Sequence, residues 1–244
     1  MRTLAIALTA LALNTAHLGA QDSTRLVVPD MQPRIRPSWF TRHDFAPIGL
    51  AVAGVALAST ADQTIAQHLQ RPSLHSNRFL GHSANAIEIA GDPGALVTSV
   101  AMYAIASASK NSGLADAGKH SLESIIASGA ITQALKLSIG RARPNVSHDQ
   151  DAFAFHPFHG QHEDYNSFPS GHTTAAFAAA AAFSAELHRT HPEASRWASP
   201  AMYGVATLVG GARMYNNRHW LSDVAAGAII GQFVARRIVK HAHG

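Results

Sequence analysis

Phe168-Pro169-Ser170-Gly171-His172 stands directly ahead of an Ala-rich run that extends from Thr173 to Leu187. Ala is the strongest helix former, and proline suits a first helical turn because its φ is already near the helical value. The junction therefore predicts a helix opened by Pro-Ser-Gly-His. The first N–H groups of such a helix have no intrahelical partner and lie at the positive end of its dipole, which makes the start a seat for an anion. Ser170 adds a hydroxyl, Gly171 lets a ligand approach the backbone, and His172 supplies a titratable proton. Ser and Gly before a helix are equally ordinary capping residues, so the stretch alone does not choose between a cap and a phosphate cradle.

Outward from this point, 244 residues are enough for one domain with a full core. Residues 1–20 carry Arg2, an apolar stretch from Leu4 to Leu13 and Leu18-Gly19-Ala20 before Gln21, the layout of a secretory signal peptide. The expectation is an exported, periplasmic protein, with a membrane-integrated or membrane-associated chain as the alternative. The chain has no cysteine, so packing without disulfides must hold it together. A formal charge of +4 favours anionic ligands or lipid surfaces, and the absence of a Lys/Arg run argues against nucleic acid.

Residues 21–44, with Pro29, Pro33 and Pro37, predict an extended arm, and the domain is expected over 45–244. Pattern and punctuation there predict helices near 46–69, 77–90, 94–109, 114–139, 172–188, 196–210 and 218–240, an all-α single-domain bundle. Charge-free windows at 45–61, 93–109 and 197–212 are shorter than a comfortable membrane span and diluted by Ala, Gly and Ser. They are expected to be buried helices, with contact at a membrane surface as the alternative. The long 144–169 connection holds His148, His156, His159 and His162 among Phe153, Phe155, Phe158 and Tyr165. Its spacing fits no zinc pattern, and it is expected to shape a lid or mouth over the site.

Two further stretches bear on the site. Lys136 and Arg143 are seven apart, two helical turns, with Pro144 disfavouring helix beyond Arg143. A mobile ammonium and a planar guanidinium at a helix end suit phosphate, although a solvated basic face has the same look. Nearer the C-terminus, Arg213 follows Gly210-Gly211 in an expected Gly-rich turn and leads to His219 and Asp223. Four apart at a helix start, Asp223 can hold the His219 imidazole in one tautomer and free its other nitrogen as nucleophile or base.

Lys136-x6-Arg143-Pro144, then Pro169-Ser-Gly-His172, then Arg213-x5-His219-x3-Asp223 closely resembles the three-motif signature of the type 2 phosphatidic acid phosphatase and vanadium haloperoxidase superfamily. The motifs cover residues 136–223. The resemblance implies that Lys136, Arg143, Arg213, Ser170 and the Gly171 N–H bind phosphate oxygens. It implies that His219 attacks phosphorus, Asp223 orients it and His172 protonates the leaving oxygen. Ala212 stands where the family's third motif usually has Ser. The implied activity is a metal-independent phosphatase acting on phosphomonoesters or pyrophosphates, lipid or small and soluble, without a cofactor. The alternatives are a vanadate-dependent haloperoxidase, vanadate being the cofactor in that case alone, and a catalytically idle membrane-associated helical protein. Chains of the peroxidase branch are typically much longer.

Overall fold

The computed structural model describes residues 38–39, 41–147 and 151–244. The proposed signal peptide and most of the proposed arm lie outside the described residues. Among the described residues nine helices follow in order: α1 Phe45–Ser59, α2 Asp62–Leu69, α3 Pro72–His75, α4 Arg78–Gly91, α5 Gly94–Ala108, α6 Ser112–Ile139, α7 Gly171–Thr190, α8 Pro192–Tyr215 and α9 Leu221–His243. Short 3-10 turns occur at Arg42–Asp44 and Glu163–Tyr165. Among the described residues there is no strand, and the single isolated bridge pairs Arg141 with Phe155.

The Ala-rich α7 is the axis of the bundle, packed against α6, α8 and α9. Its Ala178, Ala180, Ala181 and Ala182 are buried, and two small apolar clusters form around them with Ala206 and Val209 of α8 and Ala235 and Val239 of α9. Small side chains bring helix backbones close. A Cβ on Gly231 would stand 2.3 Å from the Thr174 carbonyl oxygen and 2.8 Å from the Ala178 nitrogen, so α9 can lie this near α7 only without one. At the end of α7 remote from His172, Glu186 accepts from Arg189 Nε, and His120 Nδ1 and His243 Nε2 lie 2.6 and 2.7 Å from its Oε1, tying α6, α7 and α9 together.

Several boundaries differ from the sequence expectation. The predicted 46–69 helix breaks at Thr60–Ala61, where α1 and α2 meet at a bend of 50°. The helix expected over 114–139 does end at Ile139, short of Arg143, because Gly140 adopts the left-handed conformation (φ 60°) and caps it through its N–H to the Lys136 carbonyl. Gly210-Gly211 make no turn: α8 runs through them to Tyr215, and a Cβ on Gly210 would meet Val224 Cγ1 at 2.6 Å. Gly210 serves helix packing, whereas a Cβ on Gly211 would meet nothing within 4 Å.

The charge-free windows are also not fully buried as expected. No residue of α1 is buried, and Phe45, Leu50 and Leu57 are 76%, 75% and 72% exposed. Val97 and Ile105 of α5 and Val205 and Leu208 of α8 face outward as well. Hydropathy measures dislike of water and does not say whether another helix or something else supplies the cover. No single helix among the described residues is long and apolar enough to cross a membrane, although two bent pairs, Arg42–Ser59 with Asp62–Leu69 and Arg78–Gly91 with Gly94–Ala108, reach that length and composition together.

Candidate active site

The α7 N-terminus sits at one end of a cavity of about 310 Å³. Lys136, Arg143, Gly171, His172, Arg213 and His219 line it, with Asp92 beside them and Leu96, Ile125 and Ala175 forming an apolar side. Three sequence-distant motifs thus meet at one hole. Ser170 is the exception among the predicted phosphate ligands. It is fully buried as the α7 N-cap, with its Oγ 2.9 Å from Thr173 Oγ1 and accepting from the Thr173 N–H, and it does not line the cavity. Pro169 lies before this cap and outside the helix, and the Phe168–Pro169 bond is cis.

Arg143 does not share a helical face with Lys136, since α6 has already ended. The two are brought together by Asn166. Its backbone carbonyl accepts from Lys136 Nζ, and its side-chain oxygen accepts from Arg143 Nε and Nη2 at 3.2 and 2.6 Å. The connection that supplies Asn166 is a brace and not a lid: none of its described residues from Pro144 to Pro169 lines the cavity. It folds along the end of α6, where His156 N–H donates to the Gly140 carbonyl at 2.7 Å and Ala142 N–H to the Ala154 carbonyl at 2.9 Å. His156 and His159 pack on Tyr165 outside. His148 lies outside the described residues.

Arg213 occupies the last turn of α8 and is 4% exposed. Its Nη1 donates to Glu88 of α4, whereas its buried Nε has no partner. A buried N–H left unpaired costs about 1–3 kcal/mol, which an incoming oxyanion would recover. Burial lowers the guanidinium pKa to about 10, with Arg218 adding to the effect. Burial likewise lowers Lys136 to about 8, helped by Arg143 and opposed by Asp223, and it lowers Arg143 despite Glu163 nearby. An anion in the cavity relieves all three.

His219 precedes α9, so it does not stack on Asp223 within a helix; Asp223 is instead the third residue of α9, its carboxylate accepting from the Trp220 N–H at 2.9 Å. The atom that fixes the His219 tautomer is the Ser167 carbonyl oxygen, 2.8 Å from Nδ1. A carbonyl can only accept, so Nδ1 carries the proton and Nε2 keeps its lone pair. Asp223 Oδ2 lies further away, at 3.6 Å, as a counter-charge for a cationic ring. Burial drives the His219 pKa down to about 3, against the raising effect of Asp223, so the ring is neutral at physiological pH. Burial alone would raise Asp223, but the neighbouring His219 and the Arg141 charge outweigh it and hold the carboxylate ionised.

His172, in the first turn of α7, has Nε2 3.9 Å from Glu88 Oε1. Burial lowers its pKa, Asp92 opposes that, and Lys136 and Arg143 reinforce it. Glu88, Asn166 and the Ser167 carbonyl were not found from the sequence; backbone acceptors and partners from remote helices leave no local pattern. Ala212 is buried in α8.

A helical bundle with cations and two histidines at a helix N-terminus defines a class of anion-handling sites, and sequence comparison narrows it. Residues 118–243 match the profile of the PAP2 superfamily, and the chain belongs to that superfamily. It is 42% identical over 106 residues to a lipid A 1-phosphatase of Porphyromonas gingivalis, a match covering 43% of this chain and 19% of that protein. It is 37% identical over 114 residues to a lipid A 1-phosphatase of Rhizobium etli, covering 47% and 45% of the two chains. The matched stretch thus spans less than half the length of these curated relatives. The crystal structure of a transmembrane PAP2 type phosphatidylglycerolphosphate phosphatase from Bacillus subtilis superposes with a TM-score of 0.59 at 21% identity, over 80% of this chain and 91% of that one, a likeness of fold.

Proposed function

We propose that the chain is a phosphatase that removes a terminal phosphate, as monoester or pyrophosphate, from an amphiphilic substrate through a phosphohistidine. The observation that carries this reading is the cavity wall itself: three buried cations, one with an unpartnered N–H, face the free Nε2 of a neutral histidine. Lys136, Arg143, Arg213 and the α7 N-terminus stabilise the equatorial oxygens in the transition state, which is the charge a metal would otherwise supply. His219 Nε2 forms the N–P bond as the P–O bond to the leaving alcohol breaks, and His172 gives that oxygen its proton. Water then attacks the phosphohistidine, returning its proton to His172 and releasing inorganic phosphate and neutral His219. Asp223 balances the ring charge between the two steps.

The apolar side of the cavity and the outward apolar faces of α1 and α5 support a lipid phosphate as substrate and contact with a membrane as setting. The names of the relatives point the same way. The N-terminal residues support export, which would place the cavity on the periplasmic side. The test is hydrolysis of p-nitrophenyl phosphate and of phosphorylated lipids in mixed micelles by the purified chain in the presence of a chelator. Phosphate release from neither class would overturn the proposal, and vanadate should inhibit the release by occupying the cavity.

A further inference from the structure

Two buried charged residues that are not motif residues, Arg141 and Asp62, connect to Asp223. Arg141, 2% exposed, follows the Gly140 cap, and all five of its N–H groups are used. Nη1 donates to Asp223 Oδ1 at 2.5 Å and to Ser222 Oγ at 2.7 Å. Nη2 donates to Asp62 Oδ2 and to the Ala152 carbonyl, both at 2.7 Å, and Nε donates to that carbonyl at 3.0 Å. The guanidinium lies between the Trp220 and Phe155 rings, at 5.5 and 5.6 Å from their centroids. Asp62, the first residue of α2, is fully buried and also accepts from the Ser222 N–H at 2.8 Å and the Ser222 hydroxyl at 2.5 Å. The bend between α1 and α2 puts it there.

We propose that Arg141, locked by Asp62, is a positioning residue for the His219–Asp223 pair. Each Asp223 oxygen is assigned by this arrangement. Oδ1 is held by Arg141, which leaves Oδ2 to Ser167 Oγ at 2.5 Å, to the Trp220 N–H and to the side facing His219. The charge count matters as much as the geometry. Two buried carboxylates and one guanidinium leave one net negative charge, and phosphorylation of His219 at Nε2, with Nδ1 still protonated, makes the ring cationic. The cluster therefore favours the phosphorylated ring over the neutral one, an effect exerted in the reaction and not in phosphate binding. Asp62 lies outside the phosphate cavity, so it acts on the pair through its charge and through its bonds to Arg141 and Ser222, with no contact to a bound phosphate.

This inference rests on the phosphatase reading, and the experiment separates the two. Wild type, Asp62→Asn and Ser222→Ala are compared for p-nitrophenyl phosphate turnover, and inorganic phosphate is titrated calorimetrically to count chains with an intact anion seat. Asp62→Asn keeps the shape and removes the charge; Ser222→Ala keeps both charges and removes the hydroxyl bridge between Arg141 and Asp62, leaving their direct bond. The expected result for Asp62→Asn is a fall in kcat of about 10- to 100-fold per phosphate-binding chain, the range commanded by partners of directly acting residues. KM and phosphate affinity should stay within about twofold. Ser222→Ala should lie between that variant and wild type, and it carries the test should Asp62→Asn fail to fold. A kcat per binding chain equal to wild type in the folded variants would reduce the cluster to scaffold and overturn the proposal. An inactive wild type would instead sink the phosphatase reading.

Discussion

Gly231→Ala offers a direct test of how the bundle sets the site, because the one atom it adds has nowhere to go. The new Cβ would stand 2.3 Å from the Thr174 carbonyl oxygen and 2.8 Å from the Ala178 nitrogen, both backbone atoms of α7. Ordinary contact needs roughly 3.4 Å or more between such atoms, so α9 must withdraw from α7 by about 1 Å near this point. Overpacking of this kind costs about 2 kcal/mol, which for a chain of this size lowers Tm by about 4–8 °C. The same displacement separates Asp223, in the first turn of α9, from His172, in the first turn of α7. A misplacement of about 1 Å commonly costs about a hundredfold in rate. Gly204→Ala is the control, since a Cβ there meets nothing within 4 Å, and helix propensity predicts a gain of about 0.5–1 kcal/mol. Melting curves and p-nitrophenyl phosphate turnover give both readouts. Wild-type Tm and kcat in Gly231→Ala would refute the close-packed α7–α9 contact as the element that aligns the site.

The remaining predictions concern the chemistry. His219→Ala should abolish turnover yet still bind inorganic phosphate, and alkaline quench of wild type with peptide mass spectrometry should place the phosphoryl group on His219; phosphate on another residue would contradict the mechanism. His172→Ala should still release nitrophenolate, a good leaving group, but scarcely any alkyl alcohol, so the ratio of the two rates should rise by at least about tenfold; equal losses on both esters would remove His172 as the acid. Phosphate affinity should be full below about pH 8 and fall above it, because Lys136, lowered by burial to about 8, loses its charge there. An inhibition constant for phosphate that stays flat from pH 7 to 9.5 would exclude Lys136 from the seat.

The residues with chemistry in their side chains were legible as a set. Lys136, Arg143, His172, Arg213 and His219 stand in a spacing that led to the expectation of a phosphate cradle, and one cavity unites them. Their local settings were less legible. Gly140 and Gly210-Gly211 look alike as turn formers, yet the first takes φ 60° and ends α6 while the other two continue α8. Ser170 could cap or bind, and the geometry gives the cap. Asp62 and Arg141 are 79 residues apart, and the acceptor for His219 Nδ1 is a main-chain oxygen, so neither produces a periodicity or a motif. The apolar windows were misread for a related reason: composition specifies that α1 avoids water, and only the packing shows that protein does not cover it.

The pairing of Arg213 with Glu88 has a consequence for the catalytic cycle. Three cations gathered in a cavity repel one another, and the carboxylate brought in from α4 offsets part of that repulsion. An anion bound through Arg213 Nη1 would have to displace Glu88, whereas one bound through the unpartnered Nε would not. Under the proposed activity, a phosphate held through Nη1 would exchange with this internal carboxylate, a competitor at high effective concentration that limits how tightly product is retained.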